Sequence, residues 1–255
     1  MKNHIFTLAI ISIVTLASCN SKSNKEELQQ NNELIAIASP SNELTETYYY
    51  VNATSGLSLR SGTNLKSKKL LVLPYGAQVK YLSTPQHTAM TLGGISGEMV
   101  EVSYQGATGF AFNGYLTTLA PPQPRETVKD YANRISTKDH IVNVVTKAHK
   151  DGEAYGMTTS IELPSKTWEE TYKITQRLFN LPKEIQPNFN TKGSVTILNK
   201  EKRERTLTDE LTINVSPKGK IQNLAYAYNL KNYKRTVVVT KTQAGFLITE
   251  VEDSK

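Results

Sequence analysis

The sequence predicts a mainly β protein, in which a small all-β barrel is followed by an α+β domain with an antiparallel sheet and one main helix. Three observations lead there. Between Tyr48 and Leu119, short apolar and polar alternations are broken by turn residues. The stretch Ala120-Pro121-Pro122-Gln123-Pro124 can sustain neither a helix nor a central strand. Beyond it, a single run with strong helical spacing precedes a series of strand-like runs.

The chain opens with Lys2 and His4, then an apolar run from Ile5 to Leu16 that ends in Leu16-Ala17-Ser18-Cys19. That is the layout of a signal peptide, expected over residues 1–18. The run is shorter than the roughly 20 residues a helix needs to cross a bilayer, and Thr7 and Ser12 dilute it. Leu-Ala-Ser-Cys resembles the bacterial lipobox, which implies a diacylglycerol on the Cys19 thiol and cleavage just before it. The alternative is an ordinary secretory signal cut at small residues. Cys19 is the only cysteine in 255 residues, so it has no intramolecular disulfide partner. Each buried methylene of a chain such as palmitate adds about 0.8 kcal/mol, and two or three chains hold a protein to its membrane in practice permanently.

Residues 19–47 read as a lipidated cysteine and a tether, rich in Asn, Ser, Gln, Lys and Glu with little apolar surface to bury. Asn20 stands where enterobacterial lipoproteins retained in the inner membrane carry aspartate, and this resembles an outer-membrane address. Lys25-Glu26-Glu27 is loosely similar to the acidic surface-export signals of Bacteroidetes lipoproteins. The expected location is the cell envelope, lipid-anchored, at the outer membrane facing the periplasm or the cell surface. The net charge of +7 suits anionic lipids or glycan polymers. Lys200-Glu201-Lys202-Arg203-Glu204-Arg205 mixes signs and reads as a solvated turn, so no nucleic-acid partner is expected.

The first domain is expected over residues 48–119. Tyr49, Val51 and Ala53 share one strand face, and Leu57 with Leu59 share the next. Leu70 to Leu73 and Val79 to Leu82 give two more strands around a turn at Pro74-Tyr75-Gly76. A loop is expected from Thr84 to Gly97. Met99 to Tyr104, a turn at Gln105-Gly106, and Gly109 to Phe112 read as a hairpin.

Four stretches carry a family resemblance: Val51-Asn52-Ala53, Gly56 to Gly62 (GLSLRSG), Leu73 to Val79 (LPYGAQV), and Val102 to Phe110 (VSYQGATGF) closing on Tyr115-Leu116. In order and spacing they resemble the bacterial SH3 (SH3b) domain over almost its whole length. The resemblance implies a half-open barrel and a non-catalytic module that binds peptidoglycan peptides or other wall polymers. The family's usual tryptophan is replaced by Met99, which fills apolar volume but supplies no flat ring. The candidate ligand-binding residues are therefore Tyr50, Asn64, Tyr75, Met99, Phe110 and Tyr115.

Residues 120–124 are expected to be a Pro-rich linker, and 125–255 the α+β domain. A helical start is expected around Thr127 to Ile135, then strands between Ile141 and Leu163. The main helix has Ser165 at the N-cap position, Glu169 and Glu170 in the first turn, Trp168, Tyr172, Thr175 and Phe179 at helical spacing, and Pro182 as its stop. Ser194 to Leu198, Leu207 to Val215, Ile221 to Asn229, Arg235 to Thr242 and Phe246 to Val251 read as a meander.

No catalytic constellation emerges. Peptidases and transpeptidases that often accompany SH3b domains use a cysteine thiolate, and Cys19 is committed to acylation. After the signal only His87, His140 and His149 remain, without metal-ligand spacing, so no metal and no cofactor is expected. Gly94-Ile95-Ser96-Gly97-Glu98 misses the Gly-x-Ser-x-Gly elbow at its last position. The sequence thus points to a non-enzymatic envelope lipoprotein that holds the membrane through lipid and binds peptidoglycan or an envelope protein. An assembly or inhibitor role for the C-terminal domain is the alternative, and an unrecognised envelope hydrolase a further one.

Overall fold

A computed structural model describes residues 46–85, 89–93, 95–152 and 154–255, and only the backbone of Asp151. Cys19, the signal and most of the tether, together with His87 and Gly94, lie outside the described residues. Those from Glu46 onward belong to one compact unit. Among the described residues the fold is mainly β with antiparallel sheets and two α-helices, as the sequence predicts.

The first sheet is built from β1 (Tyr48–Val51), β2 (Leu57–Arg60), β3 (Lys69–Leu73) and β4 (Gln78–Ser83). The expected loop from Thr84 to Gly97 is not all loop. It contains a small hairpin, β5 (Met90–Leu92) with β6 (Ile95–Gly97), whose three-residue strands are too short to display a period of two. β7 (Met99–Tyr104), β8 (Ala107–Phe112) and β9 (Leu116–Thr117) follow, and the order is β3-β2-β8-β7-β4-β1-β9. The turn between β7 and β8 has positive φ at both Gln105 (48°) and Gly106 (81°), the combination that matches a two-residue hairpin to strand twist.

Seven strands laid flat would span about 29 Å at roughly 4.8 Å each, too far for edge and centre to share a core. Val51, Leu59, Leu73, Val79 and Val102 nevertheless form one buried cluster, so the sheet curls around them. Register shifts after Leu59 and Tyr81 mark where the curl is made. The terminal strands β3 and β9 do not pair with each other, which leaves the barrel half open.

The second half begins with α1 (Val128–Ile135), capped by the Thr127 hydroxyl, which accepts from the Asp130 N–H at 3.1 Å. β10 (Val144–Asp151) and β11 (Ala154–Leu163) form a hairpin. Next comes α2 (Trp168–Leu178). Its N-cap is Thr167 rather than the expected Ser165, because the Ser165 hydroxyl is buried against that of Thr171 at 2.6 Å. The helix stops before Pro182, since Asn180 adopts φ +49° just past the last turn.

β12 (Val195–Leu198), β13 (Thr208–Val215), β14 (Ile221–Leu230), β15 (Tyr233–Lys241) and β16 (Phe246–Ser254) then run as a meander that returns to pair with β11. An eleven-residue helix is about 16 Å long, so extended residues after α2 complete the crossing from β11 to the far edge at β12. Tyr172, Ile174 and Leu178 of α2 share a buried core with Ile161, Ile248, Val237, Leu224 and Leu211 from the covered sheet face.

The Pro-rich segment is held by its backbone. The Tyr131 hydroxyl donates to the Ala120 carbonyl (3.0 Å), Arg134 to that of Pro121 (3.0 Å) and the Tyr75 hydroxyl to that of Pro122 (2.8 Å). One carboxylate ties α2 to the end of the barrel. Glu170 is only 6% exposed and accepts from the backbone N–H groups of Thr118 (2.6 Å) and Leu119 (2.8 Å) and from the Thr118 hydroxyl (3.0 Å).

Candidate functional site

Because β9 leads straight to residues held against α2, one open end of the barrel faces that helix, and a cleft of about 1030 Å³ lies between them. The barrel contributes the turn from Asn52 to Ser58, Leu92 and Ile95 of the small hairpin, and Met99 and Tyr115. Across from these stand Lys173, Gln176 and Arg177 of α2, with Lys183 and Glu184 beyond its C-terminal end. The lining therefore combines apolar surface, amides and an excess of cations.

Two of those cations are pre-positioned by aromatic rings. Lys173 Nζ lies 5.4 Å from the Tyr115 ring centre and donates to the Gly114 carbonyl at 2.9 Å. Burial holds its ammonium below the usual lysine pKa, with Glu169 and Glu170 opposing that shift. Arg177 stacks 4.2 Å from the Tyr75 ring centre. Among the described residues neither makes an ion pair with a carboxylate. Lys173 and Arg177 are one helical turn apart and so share a face.

No family profile, curated protein or solved structure matches this chain.

The sequence-derived candidates divide around this cleft. Tyr115 and Met99 line it, Met99 from within the barrel core at 4% exposure. Tyr115 meets Phe112 edge-on at 5.8 Å. Tyr75 supports Arg177 from behind, and burial pushes its phenol up to about 12. Tyr50, Asn64 and Phe110, like Tyr75 itself, lie outside the lining. The Tyr50 hydroxyl accepts from Gln78 at 3.3 Å, Asn64 closes its own turn by accepting from the Lys66 N–H at 2.8 Å, and Phe110 packs on the barrel core opposite Arg60.

Sequence reasoning missed the contribution of the second half. The signal was present as Lys173 and Arg177 at i and i+4 on the predicted helix, a cationic stripe beside the apolar one. Away from the cleft, His149 Nε2 lies 2.8 Å from Asp253 Oδ1 across Gly156, where any Cβ would collide with both side chains. Among the described residues no three His, Cys, Asp or Glu side chains gather into a metal-binding group. No described helix is long and apolar enough to cross a membrane.

Proposed function

We propose that this chain is a non-catalytic, lipid-anchored envelope lipoprotein that binds cell-wall peptides or an envelope protein in the cleft between the barrel and α2. The observation that carries the reading is the pair of ring-supported cations, Lys173 and Arg177, facing apolar barrel surface without carboxylate partners among the described residues. Such a surface recognises anions attached to partly apolar chains. The resemblance of the barrel to SH3b domains and the lipobox-like Leu16 to Cys19 supply the envelope context. A lipid on Cys19 would keep the cleft beside its target, and effective concentration would make weak binding sufficient.

The test is sedimentation of the soluble chain, lacking signal and lipid, with insoluble peptidoglycan. Enrichment over a control protein is expected, with loss in the Lys173→Glu, Arg177→Glu double variant. No enrichment, combined with capture of one protein by cross-linking in intact cells, would redirect the reading to a protein partner. Failure of both would overturn it.

A further inference from the structure

Among the described residues, the sheet of the second half has one face over the core and one that is left uncovered. Ile161, Ile248, Val239, Leu224 and Ile213 on the first face are all buried. On the second, the register sets Ser160, Thr249, Val238, Ala225 and Thr212 in a row across β11, β16, β15, β14 and β13. Two residues along, the next row is Thr158, Val251, Thr236 and Ala227, and on the other side a third runs from Leu247 to Asn214. None of these thirteen side chains is charged and none is buried. At the 21% charge of the whole chain about three of them would be charged, and a solvated surface carries more. A centre without charge is the composition of an interface core.

The polar groups of this face already have partners within its plane. The Ser160 and Thr249 hydroxyls are 3.2 Å apart, those of Thr196 and Thr212 3.0 Å, and the Asn214 amide donates to Asn223 Oδ1 at 2.7 Å. Covering these groups would therefore cost little desolvation. Charges begin at the margins. In the second row Lys147 of β10 and Glu210 of β13 stand at opposite ends, and in the row beyond it Asp253 of β16 lies beside Lys234 of β15. Among the described residues Lys147, Lys234 and Glu210 make no ion pair.

We propose that this face is the interface of a homodimer, two copies packed sheet on sheet about a two-fold axis parallel to the strands, between β16 and β15. Such a rotation keeps each row at its own level and lays β10 over the partner's β13, β11 over its β14 and β16 over its β15. Lys147 then faces the partner's Glu210 and Asp253 faces the partner's Lys234, and each pair forms twice. At the centre Thr249 meets the partner's Val238 and Val251 the partner's Thr236. An axis one strand to either side loses both charge pairs. Six strands at about 4.8 Å and seven residues at about 3.4 Å make a face of roughly 700 Å² per copy, close to the roughly 800 Å² that a specific interface covers on each side. The small side chains suit two sheets stacked about 10 Å apart, a gap that a lysine and a carboxylate can bridge. Lys173 and Arg177 belong to α2, which packs on the opposite face, so this proposal is independent of the cleft.

The experiment is analytical ultracentrifugation of the chain lacking signal and lipid, between about 1 and 200 µM. Twice the chain mass is expected in the upper part of that range. Val238→Arg and Thr249→Arg, which put a charge at the centre of an exposed face, should each give a monomer with an unchanged far-UV spectrum. Lys147→Glu and Glu210→Lys should each weaken the dimer about tenfold, and the two together should restore it, because the swapped charges again oppose each other. The Lys173→Glu, Arg177→Glu double variant should keep the dimer mass. A monomer throughout the range would overturn the proposal, as would a dimer that survives both folded arginine variants. A double reversal no tighter than either single one would overturn the axis and with it the proposal. Dimerisation without any enrichment on peptidoglycan would leave this inference standing while the cleft reading loses its support.

Discussion

Replacing Glu170 by alanine should weaken the attachment of the barrel to α2 more than any other single truncation along that seam. The carboxylate accepts from two backbone N–H groups and a hydroxyl, all within 3.0 Å, and it is 6% exposed. A hydrogen bond to a charged group contributes about 1.5–3 kcal/mol, and a buried donor left unpaired loses about 1–3 kcal/mol of solvation. Part of this is offset because a buried carboxylate no longer has to be desolvated. A net loss of about 3 kcal/mol follows for Glu170→Ala. Glu170→Gln keeps one carbonyl oxygen for the two N–H groups and should lose roughly half as much. The assay is urea unfolding of the soluble chain at neutral pH, followed by both far-UV circular dichroism and Trp168 fluorescence. The alanine variant should also separate the two probes, because Trp168 reports on the second half while the dichroism sums both. A loss under about 0.5 kcal/mol, as for an ordinary surface change, would refute the view that this carboxylate ties the halves together.

Three further outcomes are expected. Gly156→Ala should destabilise by about 1–3 kcal/mol, read as a lower urea midpoint, because the new methyl meets the His149 ring, the Asp253 carboxylate and the Glu252 carbonyl. The Tyr75 phenol, pushed up to about 12 by burial, stays neutral in the folded protein while an unfolded tyrosine ionises near 10. Stability should therefore be intact below pH 10 and fall between pH 10 and about 12, less steeply in Tyr75→Phe, as urea midpoints at stepped pH would show. Cys19→Ala should leave an unprocessed or soluble species in cell fractionation, and a fully processed, membrane-bound variant would contradict the lipobox reading.

The elements legible in the sequence were those whose pattern repeats long enough to be seen. The alternation in Leu57 to Arg60 and in Met99 to Tyr104 gave the barrel strands, and the spacing from Trp168 to Phe179 gave α2. Strands of three residues, such as Met90–Leu92, fall below that threshold. Helix ends were misjudged where a side chain had a competing partner, as Ser165 does in Thr171. The candidate site was half legible. Tyr115 and Met99 were found from the barrel alone, but a cleft needs two walls. The second wall depends on where Glu170 docks α2, a contact across 52 positions that no local pattern encodes.

Three of the bonds that hold the linker end on main-chain carbonyls, those of Ala120, Pro121 and Pro122. Every amino acid carries that acceptor, so these bonds are indifferent to which residues occupy the positions. They are strict about counting. One added or deleted residue between Leu119 and Glu126 would slide each carbonyl away from its donor and rotate the barrel mouth relative to Lys173 and Arg177. Related chains should therefore keep the length of this segment fixed and vary most at the exposed Gln123 and Pro124, since Pro121 and Pro122 are buried, and grafting a different barrel onto this C-terminal half would work only if the graft point respected that ruler.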